Sequence, residues 1–195
     1  INFSPGTIFN NLTAGIYHLH VTDANQCYAT KLISVPNQAA PVLTNLSKSD
    51  ITCFGDSTGF ISLSASGGTG LLNYSIDNGI TYQALPNFTN LPAGSYHIKI
   101  SDQNFCSTDT IIQLTSPDEI TATLNITNAN CQQSNGSITV NAQGGNGTLL
   151  FSLNGGPFSQ QTYFGSLPAG TQQLQVKDAM LCSKNIPAQI NTISG

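Results

Sequence analysis

The chain has 195 residues, 39% of them hydrophobic and only 7% charged, with a formal net charge of −4. All five cations are Lys, which argues against nucleic acid as a partner, because neutralising phosphates needs clustered Lys and Arg. No apolar run approaches the ~18 residues of a membrane span, and the 20 Ser, 21 Thr and 20 Asn suit outward sheet faces and turns better than helices.

Helical periodicity is absent, and two-residue alternation begins near the start of the chain. Tyr17, Leu19 and Val21 share one strand face, with His18 and His20 on the other. Pro36 to Pro41 forms a short joint. Strands follow at Val42 to Leu46, Phe60 to Ala65 and Leu72 to Ile76. The turns Gly67-Gly68-Thr69-Gly70 and Asp77-Asn78-Gly79 punctuate them. After Pro92-Ala93-Gly94 comes Ser95 to Ile100, with Tyr96, Ile98 and Ile100 inward and His97 and Lys99 outward. Thr110 to Leu114 is the next strand, and Ser116 to Glu119 a second joint. Gly136 to Val140 is a further strand, as is the segment with Leu174 and Val176 inward and Gln173 and Gln175 outward.

The elements repeat. Leu91-Pro92-Ala93-Gly94 recurs as Leu167-Pro168-Ala169-Gly170 and, more weakly, as Leu12-Thr13-Ala14-Gly15, at spacings of 76 and 79. Cys27, Cys106 and Cys182 follow at the same spacings, and Cys53 and Cys131 lie 78 apart. Ala65-Ser66-Gly67-Gly68 returns as Ala142-Gln143-Gly144-Gly145, and Tyr74-Ser75-Ile76 as Phe151-Ser152-Leu153. Ile1 falls in register with Ile80, Phe3 with Tyr82 and Phe9 with Phe88, so the first copy is expected to be a C-terminal half. The expected division is 1–38 for that half repeat, 39–117 for a complete repeat and 118–195 for a complete, more diverged one. Six or seven short strands in each unit of about 77 residues read as tandem small immunoglobulin-like antiparallel β-sandwiches, an all-β fold.

Each complete repeat has two cysteines at matching places. Intradomain disulfides Cys53–Cys106 and Cys131–Cys182 are expected, with the partner of Cys27 outside the sequence. Each such bridge is worth about 4 kcal/mol in loop entropy, which matters to a thin core. Paired cysteines of this kind imply an oxidising, extracellular setting. No C-x-x-C pair occurs and the three histidines face away from the core, which disfavours zinc.

Nothing in the sequence assembles a catalytic set, and no cofactor is expected. His18 and His20 are close enough along their strand to share a metal, yet Gln173 and Gln175 hold comparable positions in the third copy. The Gly-rich run at Gly67 lacks the Lys and helix of a phosphate loop and reads as a turn. Asp23, Asp102 and Asp178 recur, and Asp102-Gln103-Asn104 offers either oxygen ligands for Ca²⁺ or a side-chain-closed turn. Asn11, Asn73 and Asn87 are among several N-x-[ST] sequons expected from composition alone.

Ile51-Thr52-Cys53-Phe54-Gly55-Asp56-Ser57-Thr58-Gly59, the Ala65 to Gly68 turn, Tyr74 to Gly79, and Phe88 through Leu91-Pro92-Ala93-Gly94 to Asp102 and Cys106 resemble the SprB repeat. The third copy departs from it at Asn130-Cys131-Gln132-Gln133-Ser134-Asn135-Gly136. The resemblance implies a long, filament-like surface adhesin of gliding Bacteroidota, exported by the type IX system, with these repeats as stalk. It also implies possible O-glycosylation at Ser57 and Thr110, which follow Asp56 and Asp109 in the short motif those bacteria modify.

The function expected is therefore a non-catalytic structural repeat segment of an extracellular, cell-surface filament. Its partners are neighbouring repeats, with surface polysaccharide or other filament chains as further candidates. One alternative is a carbohydrate-binding accessory module of a secreted enzyme, using Tyr28, Phe54 and Phe105 at one end of the sandwich. Another is a self-assembling filament subunit.

Overall fold

The computed structural model describes residues 8–193, so Ile1 and Phe3 of the repeat register lie outside the described residues. Alternating, β-branched segments become antiparallel strands because one face can be buried while the other stays wet. The architecture is all-β, with no helix among the described residues. The chain opens with a hairpin of β1 (Gly15–Thr22) and β2 (Tyr28–Val35), paired from Gly15↔Val35 to Thr22↔Tyr28.

Six strands then form a sandwich: β3 (Pro41–Ser49), β4 (Gly59–Gly67), β5 (Asn73–Ser75), β6 (Asn87–Leu91), β7 (Gly94–Ser101) and β8 (Ser107–Leu114). They divide into two sheets, ordered β3-β4-β6 and β5-β7-β8. In immunoglobulin lettering these are A-B-E and C-F-G. The plan repeats in β9 (Thr121–Thr127), β10 (Ala129–Asn130), β11 (Gly136–Gln143), β12 (Leu150–Leu153), β13 (Tyr163–Leu167), β14 (Gly170–Lys177), β15 (Ser183–Ile190) and β16 (Thr192–Ile193). Here the sheets are β13-β11-β9 and β12-β14-β15, and the short β10 and β16 pair in parallel.

Each sandwich closes its own core. In the first, Ile61 and Leu63 of β4 meet Ile98 and Ile100 of β7, flanked by Tyr74, Leu91 and Leu114. In the second, Ile138 and Val140 of β11 meet Leu174 and Val176 of β14, flanked by Phe151 and Ile190. The alternation expected along β7 is present, since Ile98 and Ile100 are buried and His97 is exposed. On β1 the same alternation leaves Tyr17 and Leu19 half-buried and Val21 exposed. Among the described residues no second sheet packs on that hairpin.

The turn before each F strand is pinned from inside the following strand. Tyr96 Oη donates to the Pro92 carbonyl at 2.7 Å, and Tyr17 Oη to that of Thr13 at 2.6 Å. This is the tyrosine-corner arrangement. In the second sandwich Gln172 does the same work, its Nε2 donating to the Pro168 carbonyl at 3.1 Å. Burial pushes the Tyr96 phenol above its ordinary range, which keeps it a donor. Replacing Tyr96 with Phe is expected to lower the stability of the first sandwich by about 1 kcal/mol in denaturant titration, leaving the second unchanged.

Candidate functional site

Strand direction decides where the cysteines go. In the first sandwich the A–B loop, residues 50–58, carries Cys53 at the distal pole, where the chain leaves towards the next sandwich. The F–G loop, residues 102–106, carries Cys106 at the proximal pole, where the chain arrives. There Thr69 Oγ1 donates to Gln38 Oε1 at 3.1 Å, and Asn104 Nδ2 also donates to Gln38 Oε1.

The whole of β8 separates the two loops. Its eight residues span about 26 Å, whereas a disulfide needs Cα atoms roughly 4.4–6.8 Å apart. The expected Cys53–Cys106 bridge is therefore not formed, and β15 separates Cys131 from Cys182 in the same way. Cys53 bonds Cys182 instead, with Cα atoms 5.5 Å apart across a sequence separation of 129. The bridge joins the distal pole of one sandwich to the proximal pole of the next. Cys27, Cys106 and Cys131 carry free thiols. Closing so long a loop restricts the unfolded chain by about 5 kcal/mol in the entropy model.

Both halves of this junction are held by short-range chemistry. At the proximal pole, buried Asp178 closes the F–G loop. Its Oδ1 accepts from the Met180 and Cys182 amides, both at 2.9 Å, and its Oδ2 accepts from the Asn146 amide at 2.7 Å. Asp102 repeats the pattern with the Asn104 and Cys106 amides at 2.9 Å and the Thr69 amide at 2.8 Å. Asp23 accepts from the Asn25 and Cys27 amides at 2.9 Å. The residue before each of these cysteines has positive φ: Gln26 at 67°, Phe105 at 62° and Leu181 at 68°. The B–C turn wraps the same carboxylate. Gly145, at φ 67°, stands so close that a Cβ there would sit 3.0 Å from Asp178 Cβ. Of the two roles open to Asp102-Gln103-Asn104 in sequence, the geometry displays the closed turn.

At the distal pole, Asp50 Oδ1 accepts from the Thr115 amide at 2.8 Å and from Lys48 Nζ at 2.9 Å, and Lys48 also donates to the Gln113 carbonyl at 2.7 Å. The Lys48 ammonium, then the Thr115 amide, hold the Asp50 carboxyl below its ordinary range. The Ile51 amide donates to the Thr115 carbonyl at 2.9 Å, and the Thr52 amide to Thr58 Oγ1 at 2.8 Å. The second sandwich keeps the three backbone-anchored contacts despite its altered sequence, while Ile126 stands in place of Lys48 and makes neither of the lysine's contacts. Asn128 Oδ1 accepts from the Asn191 amide at 3.0 Å, the Ala129 amide donates to the Asn191 carbonyl at 3.0 Å, and the Asn130 amide donates to Asn135 Oδ1 at 2.8 Å. Asn and Asp exchange here because only a side-chain oxygen acceptor is required.

Across the junction, Asn146 Nδ2 donates to the Thr52 carbonyl at 3.0 Å, immediately before Cys53. A cavity of about 420 Å³ lies beside the disulfide, with Phe54, Asp56, Asp118, Glu119, Leu181 and Lys184 in its walls. Lys184 Nζ pairs with Glu119 at 2.7 Å. Among the described residues no group of three or more His, Cys, Asp and Glu is arranged to hold a metal ion. His18 and His20 stack on one another with ring centroids 6.5 Å apart.

The remaining sequence-derived candidates are scattered. Ser57 is exposed in the A–B loop, whereas Thr110 is half-buried on β8 between the outward Asp109 and Ile111. Phe54 and Phe105 stand at opposite poles of one sandwich, and Tyr28 follows Cys27 on the hairpin. The three therefore do not form the single platform that the accessory-module alternative would use. The cysteine-loop aspartates were visible as recurring residues four positions before Cys27, Cys106 and Cys182. The donor role of the Asn146 side chain had no such signal, because the first sandwich has Thr69 in its place.

A family model described as SprB repeat matches residues 45–81 and 123–158. No curated protein matches the sequence. Among solved structures, the N-terminal eight Ig domains of Down syndrome cell adhesion molecule are similar at 10% identity and a TM-score of 0.45, over 85% of this chain and 26% of that one. Protocadherin gamma B3 EC1-4 is similar at 10% identity and a TM-score of 0.42, over 92% of this chain and 64% of that one. The fibronectin(III)-like modules of Clostridium thermocellum CbhA are similar at 14% identity and a TM-score of 0.29, over 76% of this chain and 95% of that one. The chain thus spans less than two thirds of the length of the first two.

Proposed function

We propose that this chain, which matches the SprB-repeat model over residues 45–81 and 123–158, is a non-catalytic stalk segment of a long extracellular surface filament, serving as a spacer in adhesion or gliding. The observation that carries this reading is the Cys53–Cys182 bond between consecutive sandwiches. An intradomain bridge would stabilise single domains, but a bridge across the joint restrains their relative orientation, which is what a spacer needs. It also calls for an oxidising compartment, consistent with display outside the cell. Among the described residues no helix is long and apolar enough to cross a membrane. In this reading the repeats run 1–38, 39–117 and 118–195. Export by the type IX system belongs to the same proposal, as does glycan attachment at Ser57, the more accessible of the two candidate acceptors.

The test is the intact parent polypeptide from its source, separated without reductant and mapped by peptide mass. A very large band rich in peptides of this repeat type is expected. A band with room only for this segment and one catalytic domain would overturn the stalk reading in favour of an accessory module.

A further inference from the structure

We propose that the Cys53–Cys182 bond is one instance of a staple that recurs along the array: the A–B-loop cysteine of each repeat bonds the F–G-loop cysteine of the next. The proposal rests on the tandem reading above and gives each free thiol a partner of defined chemistry. Cys106 and Cys27 take the A–B-loop cysteine of a preceding copy of this repeat. Cys131 takes the F–G-loop cysteine of a following copy.

Three observations converge on it. The bonded pair is itself an A–B cysteine and an F–G cysteine of consecutive repeats. The loops holding the free thiols are built like the bonded ones, amide for amide. Asp102 holds the Cys106 amide as Asp178 holds that of Cys182, and Asn135 holds the residue before Cys131 as Thr58 holds the residue before Cys53. The rule also accounts for which cysteines are free, since among the described residues only one A–B cysteine is followed by another repeat's F–G cysteine.

The chemistry is thiol–disulfide exchange with a small-molecule disulfide such as oxidised glutathione. One cysteine thiolate attacks the glutathione disulfide and expels a glutathione thiolate. The second cysteine thiolate then attacks the mixed disulfide and expels the other. Two cysteine thiols are oxidised, one disulfide is reduced to two glutathione thiols, and the protons pass to the leaving thiolates.

Two extended chains test it, since each sandwich closes its own core. In one, a second copy of residues 39–117 replaces residues 1–38. In the other, a second copy of residues 118–195 follows residue 195. Both are oxidised with glutathione disulfide, alkylated and mapped without reductant. The first is expected to lose the free thiol of the original Cys106 to a link with Cys53 of the added copy. The second is expected to lose that of Cys131 to a link with Cys182 of the added copy. Cys53–Cys182 should persist in both. A link within one copy, or alkylation of Cys106 and Cys131 while Cys53–Cys182 forms, would overturn the proposal. So would loss of Cys53–Cys182 in both chains, because a recurring staple must tolerate added repeats. The first two failures leave the stalk reading standing, since Cys53–Cys182 is kept and that reading is judged by the size of the parent chain, whereas loss of Cys53–Cys182 would also remove the observation behind it.

Discussion

Pulled by its ends in a single-molecule experiment, the oxidised chain is expected to yield almost no length when its sandwiches open. The tensile path runs along β3 to Cys53, crosses the disulfide to Cys182 and leaves along β15. The loop closed by the 129-residue separation carries no load. Reduction, or Cys53→Ser, returns that loop to the path. Two opening steps should then appear. Each releases about 240 Å, the length of some 77 residues at ~3.5 Å apiece less a folded sandwich of ~30 Å. Cys106→Ser is the control and should leave the oxidised trace unchanged, because Cys106 is not in the bond. Identical traces with and without reductant would mean that the junction bond does not form in solution. An intradomain Cys53–Cys106 bridge would give a third pattern, shortening only the first sandwich's step. The experiment therefore also decides between the pairing inferred from spacing and the pairing in the structure.

That contrast locates what was legible in the sequence. Alternation at Tyr96, Ile98 and Ile100 identified an F strand and its buried face, because burial on a strand has a period of two. Repetition of the Leu-Pro-Ala-Gly turn revealed copies of one sandwich. The disulfide pairing was not legible in the same way. Two cysteines per repeat at constant spacing fit a bridge within a repeat and a bridge between repeats equally well. Only strand direction separates them, since A–B and F–G loops emerge at opposite poles. Exchange of Tyr96 for Gln172 hid the pinned turn in the second sandwich. There the residue type changed while the donor and its reach were kept.

The second large effect is expected at Asp178. This carboxylate is 1% exposed and holds three amides, those of Met180, Cys182 and Asn146. Asp178→Ala leaves three donors without their acceptor in a site that water reaches poorly. At roughly 1–3 kcal/mol for each unsatisfied group, and with some relaxation, the second sandwich should lose about 4 kcal/mol. The loss is structural before it is thermodynamic. The same carboxylate sets the positive φ turn that aims Cys182 at Cys53, and it holds Asn146, whose side chain reaches the Thr52 carbonyl. The yield of Cys53–Cys182 should fall with stability, read as alkylation of both cysteines. Asp178→Asn should fall between, because its carbonyl still accepts from the Met180 and Cys182 amides while its NH2 faces the Asn146 donor. Asp102→Ala makes the comparison diagnostic. It removes the equivalent acceptor from the first sandwich, whose F–G cysteine is free, so it should destabilise that sandwich by a similar amount and leave the junction bond formed. If Asp102→Ala abolished the bond as completely as Asp178→Ala, the aspartate would be acting through general stability. If the two part company, the recurring Asp is the device by which this sequence presents a cysteine to its neighbour.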